Sequence, residues 1–246
     1  MNEFYQKAYL EAQVEATTLL ERYYINFIYG SYNKKRIIFN DFMGTGEINY
    51  LFFGDSHLIT FEHIFMNNKN MFSKIHSRRF HGMTLYSANA KRYNSRYRLL
   101  EESLKQYQPQ RIIINLGEVD CRNAFALICQ KKQMTANGYL KIVEQNISSN
   151  IRYFQKKYLA EIYICTIPPP CYTDLSLWTK KSSDVKVIKN YNKLLNNVIC
   201  ETVDKHDGVK IVPLHQFAEI DDYMIMGDHH INEKPVKTTL KHIGIL

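Results

Sequence analysis

A chain of 246 residues, 45% hydrophobic and 23% charged, is sized for one large α/β domain and excludes fibrous or disordered classes. Its formal net charge is +8, but the basic clusters (Lys34-Lys35-Arg36, Arg78-Arg79, Lys131-Lys132, Lys180-Lys181) are scattered along the chain. Nucleic-acid binding is therefore not expected, since it would concentrate them on one face among aromatics. Each cluster reads as a solvated face, while their summed field suits an anionic substrate.

Met1 to Leu20 carries Glu3, Lys7, Glu11 and Glu15 and no apolar block, so no export signal is expected. No apolar run reaches the roughly eighteen residues of a transmembrane helix. Cys121, Cys129, Cys165, Cys171 and Cys200 lack metal-binding spacing and read as free thiols of a reducing compartment. The expectation is a cytoplasmic protein without a metal.

In chain order, Glu3 to Arg22 has apolar residues at helical spacing. Arg36 to Phe42 is a short strand or a loop. Gly44-Thr45-Gly46 precedes a strand and lacks the Gly-Lys-Ser/Thr ending, so it is not a phosphate loop. Ile48 to Phe53 is a strand, Leu58 to Phe65 a helix, and Lys74 to Phe80 a second strand. Ala88 to Gln106 reads as a helix and Arg111 to Asn115 as a β-branched strand. Cys121 to Lys132 and Gly138 to Tyr158 are helical. Ala160 to Thr166 is a strand, broken at Pro168-Pro169-Pro170. Ser183 to Val203 is a helix, Val209 to Pro213 the last strand, and Asn232 to Ile243 a closing helix with Pro235 in its first turn. This alternation predicts an α/β fold, a three-layer α/β/α sandwich with a mainly parallel sheet.

The strand ending at Phe53 stops at Gly54-Asp55-Ser56-His57, and a helix follows. A serine on that turn sits at the carboxyl end of a sheet, where open α/β proteins keep their chemistry. The helix start adds a positive dipole end. Taken alone, Gly-Asp-Ser fits an ordinary turn with a helix cap better than a catalytic turn; its order with three later segments reverses that balance. Far downstream, Gly227-Asp228-His229-His230-Ile231-Asn232 supplies a carboxylate and two histidines. The adjacent histidines lack a metal-binding partner motif. Asp55 reads as bonding its own turn, and Asp120 as a cap of the following helix.

Four segments in order carry a resemblance: Gly54-Asp55-Ser56; Gly82 within Phe80-His81-Gly82-Met83-Thr84; Asn115-Leu116-Gly117-Glu118-Val119-Asp120; and Asp228-His229-His230-Ile231-Asn232. They resemble the blocks of the SGNH, or GDSL-type, hydrolase superfamily. The resemblance spans about residues 48 to 243. It implies an SGNH-like catalytic domain over 48–246 with a flavodoxin-like sheet, preceded by a helical extension, 1–47, packed on it. It also implies Ser56 as nucleophile, His230 as base and Asp228 as its carboxylate partner, with an oxyanion hole from the Ser56 and Gly82 backbone N–H groups. His57, Glu118, Asp120 and His229 become candidates for substrate binding.

Two departures stand out. Val119 occupies the place of the family's oxyanion asparagine, leaving Arg122 as a candidate helper; loss of one such donor costs about 2.7–4 kcal/mol. Asp228 lies two residues before His230 where the family places the aspartate three before, so the alternative is a Ser–His dyad with a backbone carbonyl orienting the ring. His229 competes with His230 as base.

Gly-Glu-Val-Asp-Cys-Arg is also similar to a block of SGNH-like proteins of bacterial surface-polysaccharide biosynthesis. That similarity implies O-acyl transfer, usually O-acetyl, to a surface or capsular polysaccharide. The donor would be acetyl-CoA, with no tightly bound cofactor, and the site a cytoplasmic polysaccharide-assembly complex. A carbohydrate O-acetylesterase, or another ester hydrolase using the same residues, is the alternative. An inactive SGNH fold acting as a glycan-binding module is a third.

Overall fold

The computed structural model describes residues 41–43, 47–72, 74–80, 82–89, 95–169, 185–218 and 231–246. The expected helix Glu3–Arg22, Cys171, Trp178, Asp228, His229 and His230 lie outside the described residues.

In chain order the described residues form β1 (Asp41–Met43), β2 (Tyr50–Gly54), α1 (Leu58–Met66), α2 (Lys69–Phe72), β3 (Ile75–Arg79), α3 (Ser95–Tyr107) and β4 (Arg111–Asn115). A π-helical turn, Asp120–Ala124, leads into α4 (Phe125–Lys131) and α5 (Ala136–Lys157). Then come β5 (Glu161–Cys165), α6 (Val185–Val203), β6 (Val209–Val212), α7 (Leu214–Phe217) and α8 (Glu233–His242). The sheet order is β1-β3-β2-β4-β5-β6. β2 to β6 are parallel, with Gly54 opposite both Arg79 and Asn115. β1 is an antiparallel edge strand on β3, Asp41 facing Arg78.

Counted from β2, the parallel strands run second, first, third, fourth, fifth, the doubly wound order of flavodoxin-like sheets. The strand-end crevice of this order lies between β2 and β4, where successive connections leave for opposite faces. The three-layer α/β/α fold follows from strand alternation. Leu51, Phe53, Ile112, Ile114, Ile162 and Ile164 enter one core with α3, α5 and α6. Phe52, Ile75, Ile113, Tyr163, Cys165 and Val212 enter the other with α1 and α8.

Local differences from the sequence expectation have physical causes. Ala88 and Asn89 are not helical, because the Asn150 side chain donates to the Ala88 carbonyl at 2.9 Å and holds that segment extended. The helix expected over Cys121–Lys132 opens into the wider π turn before α4 begins. Thr135 caps α5 by accepting from the Gly138 N–H at 3.1 Å. Asn232 caps α8 by accepting from the Lys234 N–H at 2.9 Å, and Pro235 sits in that helix's first turn, where its missing N–H is not needed. Among the described residues Cys121, Cys129, Cys165 and Cys200 are free thiols, and no helix is long and apolar enough to cross a membrane.

Candidate active site

The first three sequence blocks meet at the carboxyl ends of β2, β3 and β4. Gly54 ends β2, its carbonyl accepts from the Phe80 N–H at 2.8 Å, and the next residue, Asp55, donates its N–H to the Asn115 carbonyl at 3.1 Å. Strand β2 is therefore stitched to the second and third blocks at the point where it turns. Asp55 is buried and accepts from the His57 N–H at 3.0 Å, so its carboxylate braces the turn, as expected of it. Burial raises its pKa to about 6, opposed by the neighbouring His57.

Ser56 is 9% exposed, at the entry to α1. The first N–H groups of that helix bond within the turn, Leu58 to the Asp55 carbonyl at 3.3 Å and Ile59 to the Ser56 carbonyl at 3.1 Å. What the helix end adds at the serine is thus its dipole. Gly82 is exposed with φ at +66°, a conformation that suits glycine, and its N–H has no acceptor among the described residues.

The third block supplies a charged cluster. Glu118 takes Arg122 in a two-pronged pair, Nε at 2.7 Å and Nη2 at 3.2 Å, both side chains nearly buried. The Glu118 Oε2 that accepts from Arg122 Nη2 also lies 3.7 Å from Nε2 of the buried His57, longer than a hydrogen bond. Burial lowers the His57 pKa, but the Glu118 and Asp55 carboxylates outweigh it and the net direction is upward. Of the candidate substrate-binding residues, His57 and Glu118 are therefore brought together beside Ser56. Arg122, considered for the oxyanion, is engaged with Glu118.

Asp120 is placed differently from both sequence readings. It is fully buried and accepts from the Leu85 N–H at 2.7 Å, the Tyr86 N–H at 3.1 Å and the Tyr139 hydroxyl at 2.5 Å. It ties one segment to another and does not cap its helix. Its pKa rises to about 7 through burial, against those hydrogen bonds.

Asp228, His229 and His230 lie outside the described residues, but Ile231, next after His230, is placed. It is buried, and its carbonyl accepts from the Thr60 hydroxyl of α1 at 2.7 Å. His63, one turn along, meets Glu233 at 3.0 Å. Ile231 and Glu233 are thus tied to the helix that follows the Ser56 turn, Thr60 lying one turn beyond Ser56. Thr60→Val is expected to leave that buried carbonyl unpaired and cost about 1–3 kcal/mol, while Thr60→Ser keeps most of the stability. Urea denaturation of the two variants measures the difference.

Sequence reading passed over Thr60 and gave Asn115, at the head of the third block, no role of its own. The signal for Thr60 was a polar residue amid the apolar run of α1, all of whose first residues are buried. Asn115 closes an otherwise aliphatic strand opposite Gly54, and its buried amide nitrogen has no partner among the described residues. Alternation puts its side chain on the α1 face, as for Ile113.

No family model matches the chain, and no curated protein matches it. Solved structures do match in fold. A Streptococcus pneumonia protein, provisionally described as a platelet activating factor, aligns over 97% of this chain and 96% of its own at 16% identity and a TM-score of 0.54. The acetyl xylan esterase AlAXEase aligns over 80% of this chain and 100% of its own at 15% identity and 0.50. A Slackia heliotrinireducens protein, provisionally described as an SGNH hydrolase, aligns over 80% and 96% at 9% identity and 0.51. At these identities the likeness is one of fold.

Proposed function

We propose that this chain, whose fold is that of SGNH-type hydrolases, is a serine-dependent O-acyltransferase acting on carbohydrate. One observation carries the reading: Ser56 turns out of β2 at the crevice beside β4, and the chain that follows His230 is tied to the helix Ser56 begins. His230 removes the Ser56 proton as the hydroxyl attacks an acyl carbonyl, and Asp228 or a backbone carbonyl orients the imidazole. The Ser56 and Gly82 N–H groups stabilise the tetrahedral oxyanion. Collapse of the oxyanion breaks the bond to the CoA sulfur, which leaves as the thiol with the proton from His230. The acyl-serine then passes its acyl group, an acetyl in our reading, to a hydroxyl of a surface or capsular polysaccharide, whose proton His230 takes and returns to Ser56.

The net charge of +8 supports an acidic acceptor and acetyl-CoA as a phosphate-bearing donor, in a cytoplasmic assembly complex. The block Gly117-Glu118-Val119-Asp120-Cys121-Arg122 supports the polysaccharide assignment. Hydrolysis is the second reading. The structural likeness to an acetyl xylan esterase favours it, since that protein's name denotes esters carried on a sugar polymer.

The deciding experiment measures acetyl release from p-nitrophenyl acetate and from acetyl-CoA, with and without an acidic bacterial polysaccharide, for wild type beside Ser56→Ala. Turnover of acetyl-CoA that rises with polysaccharide and vanishes in Ser56→Ala is the expected result. Ser56-dependent ester hydrolysis indifferent to acetyl-CoA makes the protein an esterase. Silence on both substrates, with no labelling of Ser56 by a fluorophosphonate, makes it the inactive glycan-binding module that Val119 would suit.

A further inference from the structure

Gly82 donates usefully to an oxyanion only if its N–H is held in place, yet residues 82–89 form no helix or strand. The segment is instead tied at both ends. Upstream, the Phe80 N–H is bonded to the Gly54 carbonyl at 2.8 Å, and Met83 closes a turn onto the Phe80 carbonyl at 3.0 Å. Downstream, both oxygens of Asp120 accept consecutive backbone N–H groups, Leu85 at 2.7 Å and Tyr86 at 3.1 Å. The Asn146 side chain donates to the carbonyls of the same two residues, at 3.1 and 2.7 Å. Asn150, itself held by the Tyr97 hydroxyl at 2.9 Å, takes the Ala88 carbonyl at 2.9 Å.

A third donor, the Tyr139 hydroxyl at 2.5 Å, orients the Asp120 carboxyl, and the Tyr139 ring stacks between Tyr86 and Phe125 at centroid distances of 4.8 and 4.4 Å. Aspartate, Asn146 and Tyr139 are all buried, so these bonds are made out of competition with water.

We propose that Asp120 is a positioning residue for the oxyanion hole, acting through the Leu85 and Tyr86 backbone to fix the Gly82 N–H opposite Ser56. It stands directly after Val119, so the third block contributes to the oxyanion through Gly82 where its own side chain at 119 has no donor. This inference rests on the acyl-transfer reading of Ser56. Only a carboxyl in this place accepts both N–H groups. In Asp120→Asn, whichever way the amide turns, its NH2 faces one of them.

The test is steady-state hydrolysis of p-nitrophenyl acetate by Asp120→Asn, with Ile199→Val, a buried change on α6 that only lowers stability, as comparison. Phenylboronic acid, which forms a tetrahedral adduct on an active serine, serves as the transition-state probe. Asp120→Asn is expected to lower kcat by roughly tenfold to a hundredfold with KM within about twofold. Affinity for phenylboronic acid should fall by the same factor, and amide hydrogen exchange over residues 82–89 should quicken. Tyr139→Phe, which loosens the carboxyl without removing it, should show the same pattern at smaller size, and carries the comparison if Asp120→Asn does not fold.

An unchanged kcat in the Asp120 variant, or an equal loss in Ile199→Val, overturns the inference while leaving the acyl-transfer reading intact. Absence of Ser56-dependent turnover in wild type overturns both.

Discussion

Gly54→Ala is expected to lose about 3–5 kcal/mol, from the sum of overpacking and broken buried hydrogen bonds. A Cβ at position 54 would stand 2.1 Å from the Asn115 carbonyl oxygen and 3.0 Å from its carbon, both backbone atoms of the neighbouring strand. No rotamer change relieves such a contact; β2 and β4 must separate. Separation breaks the Asp55 N–H bond to the Asn115 carbonyl and strains the Phe80 bond to the Gly54 carbonyl. These are the links that set the Ser56 turn against the second and third blocks. Against a typical total of about 5–15 kcal/mol, the variant should unfold at a much lower urea midpoint. Its folded fraction should label with fluorophosphonate far more slowly than wild type. A wild-type midpoint would mean that the strand ends are not packed as described.

Arg79→Met is expected to cost about 3–5 kcal/mol, the usual penalty for removing one partner of a buried ion pair. Arg79 ends β3, is 1% exposed, and pairs with Glu62 of α1 at 2.9 Å, while Ser77 donates to the same carboxylate at 2.5 Å. Taking away the guanidinium removes a close counter-ion from a buried carboxylate. The double variant Glu62→Leu/Arg79→Met should recover much of the loss, because the buried carboxylate is then removed as well. Thermal unfolding of the single and double variants checks this. The pair joins α1 to β3, next to the β2 strand that ends at the Ser56 turn, so fluorophosphonate labelling of Ser56, on the proposed function, should suffer in the single variant in step with stability. Equal stability of Arg79→Met and wild type would show the pair to be energetically idle.

Much of the fold was legible because its signals are local. The β-branched run Arg111–Asn115, the apolar run ending at Gly54, and the helical spacing of Gly138–Tyr158 each state their own element. The Gly-Asp-Ser break marked the turn at the carboxyl end of β2 because a strand that stops abruptly there leaves a serine at the strand ends of the sheet. The expected bond of Asp55 to its own turn was legible for the same reason, being made two residues away. Asp120 was not, because helix position alone suggested a cap, whereas its partners lie 34 and 35 residues upstream on a segment with no periodic pattern.

The sequence by itself determined most of the elements that form, where the Gly54-Asp55-Ser56 turn falls, and which residue types stand on it, since these follow from hydrophobic period, backbone freedom and capping within a few residues. Tertiary structure decided what those residues touch. Strand order set β2 beside both β3 and β4, which made Gly54 obligatory and brought Glu118, with its partner Arg122, against His57, the residue after Ser56. It also brought Thr60 to Ile231 across 171 positions. Such contacts arise from sheet register and from the burial of polar groups that must then find partners, and no spacing along the chain encodes either.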